Sequence, residues 1–190
     1  MSAAMPSEDV VRADTQRWLE RAVIGLNLCP FAKGVVAKGQ LHVAVSDARD
    51  EDAVQARLRD EIRDLLALDA QVRDTTLLVL PLALPDFLDF NDFLDRADAV
   101  LDELDAVGEL QIASFHPDYQ FAGTDPDDVT NCSNRAPYPM LHLLREDSVE
   151  RAVQAFPDAS DIFERNMATL EKLGAEGWAA LGVGATKESP

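Results

Sequence analysis

The run Ser114-Phe115-His116-Pro117-Asp118-Tyr119-Gln120, followed across a loop by Asn131-Cys132-Ser133-Asn134-Arg135, gathers side-chain types that move protons and hold anions. An imidazole at position 116 exchanges a proton near neutral pH, and Asp118 or an asparagine would fix its tautomer, so His116 and Asp118 form the candidate catalytic pair. Arg135, with Lys33 or Arg145, would grip a carboxylate or phosphate, and Asn131, Asn134 and Tyr138 would orient the rest of a substrate. The competing expectation is that His116 and Asp118 satisfy backbone groups of their own loop.

Charge distribution supports the anion reading. Thirty-five acidic residues against seventeen basic ones give a net charge of -18, yet Arg21 to Ser46 and Val129 to Arg145 contain no acid, while Lys33, Lys38, Arg135 and Arg145 remain. Burial accounts for missing charge of both signs but not for the retained basic residues. The expected partner is therefore a small anionic metabolite. The overall negative charge disfavours nucleic acid and anionic lipid surfaces.

Other candidates carry less. Cys29 invites a nucleophile reading, but the C-terminal end of a helix disfavours a thiolate. His142 shares a strand face with Met140 and Leu144, the usual setting of a buried histidine, and His42 has no helpful neighbour in sequence. No P-loop, G-x-G-x-x-G, G-x-S-x-G or H-E-x-x-H pattern occurs, and no compact metal-ligand spacing joins His116, His142, Asp118 and a cysteine. Cofactor content is left open.

These groups must be positioned by helices and strands that alternate along the 190 residues. Helical spacing of Val11, Thr15, Trp18, Leu19, Ala22, Val23 and Leu26 predicts a helix over Ser7–Leu28 ended by Pro30. A strand follows over Leu41–Ser46, then an amphipathic helix over Glu51–Leu68 capped by Asp50. Thr75–Leu84 reads as a central strand covered on both faces. The next helix presents Phe87, Phe90, Leu94, Ala97, Leu101 and Leu104 on one stripe and a solvated face of Asp92, Asp95, Asp98, Asp102 and Asp105. Strands over Glu109–His116 and Pro139–Glu146 flank a loop of unusual length. Asp147 opens another helix, and Pro157 with Asp158 or Ser160 starts a last one that ends at Gly174, before a loose tail after Gly182.

This order predicts one α/β domain over residues 1–190 with a folded core at 7–182. The expected architecture is a layered sandwich: a mixed, mostly parallel four-stranded sheet covered by helices, its last strand open to either direction. In such sheets ligands sit beyond the carboxyl ends of the strands, where His116 would stand. Glu8 and Asp9 near the N-terminus, and the absence of a long apolar run, point to the cytoplasm and away from membranes.

Several words of the sequence are shared with a known family: Trp18-Leu19-Glu20, Asn27-Leu28-Cys29-Pro30-Phe31-Ala32, Asp89-Phe90-Asn91-Asp92-Phe93-Leu94, Ser114-Phe115-His116-Pro117, Tyr119-Gln120-Phe121, Asn134-Arg135, Pro137-Tyr138-Pro139 and Leu141-His142-Leu143-Leu144-Arg145-Glu146. Together they resemble the bacterial domain-of-unknown-function 1415 family over about Trp18 to Trp178. The chain departs from the family pattern at Cys132, where an aromatic residue is common. The resemblance implies no reaction, cofactor or substrate, so function at this stage rests on the residues. The leading expectation is a small-molecule enzyme acting on an anionic substrate; a non-catalytic metabolite- or protein-binding module is its rival, and a metal-binding protein a third.

Overall fold

The computed structural model describes residues 6–155 and 161–187. Helix α1 (Glu8–Trp18) is capped by Ser7, whose hydroxyl accepts the Val10 amide, and continues without a break into a π-helical segment over Leu19–Ile24. The expected single helix thus widens at Leu19. It closes at Gly25, where a Cβ would lie 2.3 Å from the Arg21 carbonyl oxygen. The amides of Leu28 and Cys29 both turn back onto the Val23 carbonyl, and short α2 (Ala32–Ala37) follows.

Beyond it come β1 (Leu41–Val45), α3 (Glu51–Ala67), β2 (Thr75–Val79), α4 (Phe87–Glu103) and β3 (Leu110–Phe115). The carboxylates of Asp50 and Asp86 accept the first amides of α3 and α4, satisfying donors that a helix start leaves open. Of the expected α4 stripe Phe90, Ala97 and Leu101 are buried, joined by Phe93 and Val100, while Phe87, Leu94 and Leu104 are part-buried; Asp92, Asp95, Asp98 and Asp102, and Asp105 just beyond the helix, are exposed. A 3-10 helix (Val129–Asn134) interrupts the long loop before β4 (Met140–Arg145), α5 (Glu146–Ala155) and α6 (Ile162–Ala180). The expected helix start at Pro157, Asp158 or Ser160 lies outside the described residues. Gly174 breaks the helical path inside α6 at φ 69°, ψ 171°, a conformation glycine adopts at little cost, and the chain then resumes its helix to Ala180.

Strand order in the sheet is β1-β2-β4-β3. Only β1 and β2 pair in parallel; β4 is antiparallel to both of its neighbours, so the sheet is mixed and not mostly parallel. The reason lies in the connection. No helical crossover carries the chain back to the start of the sheet after β3; the loop over 116–139 turns round at the end of β3 and feeds β4 in the opposite sense between β3 and β2.

The two sheet faces are covered differently. On one, Ala44, Leu78, Leu80, Leu110, Leu141 and Leu143 pack against Val54, Leu58, Ile62 and Leu65 of α3 and Phe90, Phe93, Ala97 and Val100 of α4. On the other, α1 and the π-helical segment bring Val11, Trp18, Leu19 and Ala22 over Leu77, Val79 and Met140. That second cover is incomplete: Gln111 is exposed, and Ala113, Phe115, His142 and Leu144 are only part-buried. α5, which lies beside β4, has no buried residue.

The segment after Gly182, expected to be loose, is held as far as Thr186. Buried Asp14 accepts the Thr186 hydroxyl at 2.5 Å and its amide at 2.8 Å, as well as the Tyr138 hydroxyl at 2.7 Å. Arg17 bonds the carbonyls of Gly182 and Gly184 and pairs with Asp14 at 2.6 Å. Burial works to raise the Asp14 carboxyl, but the hydrogen bonds from Thr186, Tyr138 and Arg17 together hold it below the ordinary carboxylate range. Among the described residues no helix is long and apolar enough to cross a membrane.

Candidate functional site

The incompletely covered face encloses a cavity of about 350 Å³. Its floor is the sheet, through Leu41, Leu77, Ala113, Phe115, His142 and Leu144. One wall is Trp18, Leu19 and Val23 at the junction of α1 with the π-helical segment; Cys29, Phe31, Val35 and Val36 close a second side, and Ser148, Val149 and Ala152 of α5 a third. A π-helical insertion in an α-helix is a recurrent mark of functional sites, and here it places Leu19 and Val23 against the cavity.

The polar lining gathers at one end. Asp74 and Thr75 open β2, Gln111 and Thr75 both face Leu144 across the sheet, and Ser148 follows β4 by one turn of α5. Ser148 donates its hydroxyl to Asp74 at 2.5 Å. Thr75 donates its hydroxyl to the Leu143 carbonyl at 2.6 Å, so its single proton is committed. The 2.7 Å contact between Thr75 Oγ1 and His142 Nε2 must then be an Nε2–H donation, which makes His142 the Nε2–H tautomer with Nδ1 as a lone-pair acceptor. Burial pushes the His142 imidazole down to about 4, leaving it neutral at physiological pH.

A broader, open depression of about 470 Å³ lies beyond the carboxyl ends of β1 and β2, the usual place for a ligand. Its lining is mostly charged, and Arg96, one of its two arginines, is already bonded to Glu51, Asp52 and Gln55. The apolar cavity on the α1 face has the stronger claim, since small-molecule sites are mainly apolar with a few placed polar groups.

The residues singled out by sequence fall into three places. His116, Asn131, Asn134 and Arg135 are gathered in the long loop, where they organise backbone. His116 is fully buried; its Nε2–H donates to the Leu84 carbonyl at 3.1 Å, and its Nδ1 accepts the Asp118 amide at 3.0 Å. Asp118 thus fixes the tautomer through its main chain, not its carboxylate. Burial lowers the His116 imidazole as well, against the opposing pull of the Leu84 hydrogen bond. Asn131 bonds Phe121, Thr124 and Asp125, Asn134 bonds the Ser114 carbonyl, and Arg135 bonds the carbonyls of Tyr119 and Pro126. Tyr138 belongs to the Asp14 cluster. Arg145 donates to the carbonyls of Leu65 and Leu68 at the C-terminal end of α3 and of Arg73 just before β2, and Lys33 is exposed on α2.

Of the basic residues in the acid-free stretches, Arg21, Arg135 and Arg145 each donate to backbone carbonyls, while Lys33 and Lys38 are exposed. The acid-free stretches were nonetheless a signal. Val23, Cys29, Phe31, Val35, Val36 and Leu41 come from the first and His142 and Leu144 from the second, and all line the cavity. Of the two thiols, both free, Cys29 is half-buried at the cavity, and Cys132 is buried elsewhere, its thiol raised by desolvation against the pull of Arg135. Among the described residues no three His, Cys, Asp or Glu side chains converge as metal ligands would.

The chain belongs to the family described as Protein of unknown function (DUF1415), whose model matches residues 10–180. No curated protein and no solved structure matches the chain.

Proposed function

We propose that this member of the family binds a small, largely apolar molecule in the cavity between the sheet and the π-helical segment. The observation that carries the reading is the lining. Four separate parts of the chain converge on one partly open cavity, its walls are apolar, and its polar groups are few and grouped at one end. The volume lies within the roughly 300–1,000 Å³ typical of small-molecule sites. An apolar surface left uncovered by the fold's own helices is stabilised by a ligand that replaces water there.

Binding is favoured over turnover. The one hydroxyl bonded to the cavity's histidine is that of Thr75, and its proton is held by the Leu143 carbonyl. An anionic substrate worked on by His116 with Asp118 has less behind it, because both imidazole nitrogens and the guanidinium groups of Arg135 and Arg145 already serve backbone groups.

Thermal unfolding in the presence of 1-octanol tests the reading. At a hundredfold excess over its dissociation constant the ligand should add about 2.7 kcal/mol, a rise in Tm on the order of 5–10 °C. Ala113→Phe, which fills the cavity from the floor, should abolish the rise. An equal rise in that variant would place the alcohol elsewhere and overturn the assignment.

A further inference from the structure

Resting on that reading of the cavity, we infer that the bound molecule is an amphiphile whose polar end donates hydrogen bonds, an ammonium ahead of a hydroxyl, and not a carboxylate or phosphate. Among the described residues no lysine or arginine lines the cavity, and the ionisable lining residues are Cys29, Asp74 and His142. The hydroxyl protons of Thr75 and Ser148 are already donated, to the Leu143 carbonyl and to Asp74. His142 uses its single N–H on Thr75. What the described lining residues at this end offer an incoming group is therefore mainly acceptors, the imidazole Nδ1 and the Asp74 carboxylate, with the Gln111 amide at the exposed rim as a donor. An anionic head placed there would lose its hydration and face the Asp74 carboxylate, while the nearby Arg151 guanidinium, not itself a lining residue, is bonded to Ser148 Oγ at 3.0 Å. An ammonium head would meet a carboxylate and a neutral imidazole while its alkyl portion runs over Leu77, Ala113 and Phe115 toward Trp18. The net charge of -18 adds a long-range attraction of the same sign.

Titration calorimetry with three eight-carbon probes of equal tail, octylamine, 1-octanol and octanoate at pH 7, separates the head from the pocket. Octylamine should bind most tightly and octanoate at least about tenfold more weakly, the value of one charge-assisted hydrogen bond. Asp74→Asn should remove most of the preference of octylamine over octanoate while leaving 1-octanol unchanged. Ala113→Phe, or Ala152→Phe from the α5 side should the first variant not fold, should abolish all three. Butylamine controls for attraction to the acidic surface and should bind at least tenfold more weakly than octylamine, since it has about four fewer methylenes to bury. Octanoate binding as tightly as octylamine would overturn the head-group assignment while leaving the cavity as a ligand site. An unchanged preference in Asp74→Asn would overturn it too. Binding of none of the three probes would overturn the cavity reading itself, and this inference with it.

Discussion

The two faces of the same sheet use the same kinds of residue for opposite ends. On the α3/α4 face, Leu78, Leu141 and Leu143 are wholly buried under two seventeen-residue helices that lie side by side. One residue along β4, on the α1 face, Leu144 stops half-buried, as does Ala113 on β3, beside a helix that widens at Leu19. Side chains alternate across a strand, so adjacent leucines on β4 report two environments with the same backbone. The difference teaches where the fold places its stability and where it leaves room for a ligand.

Substitution of Leu78 by Ala should break the first face hardest, costing about 2–5 kcal/mol by the usual combination of lost transfer energy and residual cavity. Chemical denaturation would register it as a lower midpoint at unchanged slope. Asp14→Ala, on the second face, comes next at about 3 kcal/mol, because it strands Arg17, Tyr138 and Thr186 without their common acceptor. The same denaturation experiment on Tyr138→Phe should show a smaller loss of about 1 kcal/mol.

Acidification probes the second face through His142. Its imidazole is lowered from 6.5 to about 4 on folding, so the unfolded chain binds the extra proton first; the stabilising contribution is complete above 6.5 and is lost as pH falls toward 4. Stability should fall by about 1–3 kcal/mol across that window, and His142→Phe should flatten the slope there. Asp14 acts lower: its carboxyl is depressed, so its contribution holds above 3.8 and disappears as pH falls through the folded value. The smallest effect is the sharpest contrast. Leu144→Ala should cost only about 1 kcal/mol, since its side chain borders space that is already open. A loss equal to that of Leu78→Ala would remove the distinction between the faces.

How far the sequence foretold this can be judged residue by residue. Helix α4 and its solvated aspartates were legible from a single period, but the buried stripe lies slightly rotated from the expected one, taking in Phe93 and Val100 and leaving Phe87, Leu94 and Leu104 part-buried. The direction of β4 was not, since strand sense depends on how a loop returns and the loop's path is set by contacts distant in sequence. Asn131 and Arg135 were visible as polar residues in an unusually long connection, but nothing local distinguishes an arginine that holds a substrate from one that holds the carbonyls of Tyr119 and Pro126. The cavity left a partial trace in the missing acids of its lining. Its existence depends on the widening at Leu19 and the bond from Leu28 and Cys29 back to Val23, and no hydrophobic period encodes those.

The clasp on Asp14 also has a consequence in time. Thr186 follows it by 172 residues, so at roughly 5–20 residues per second a ribosome exposes α1 about 9–34 s before it delivers that partner. During the interval the nascent helix carries a carboxylate that cannot yet be sealed inside. Docking of α1 onto the sheet should therefore be among the last events of biosynthesis, with Trp18 and Leu19 the apolar surface most in need of a chaperone until then.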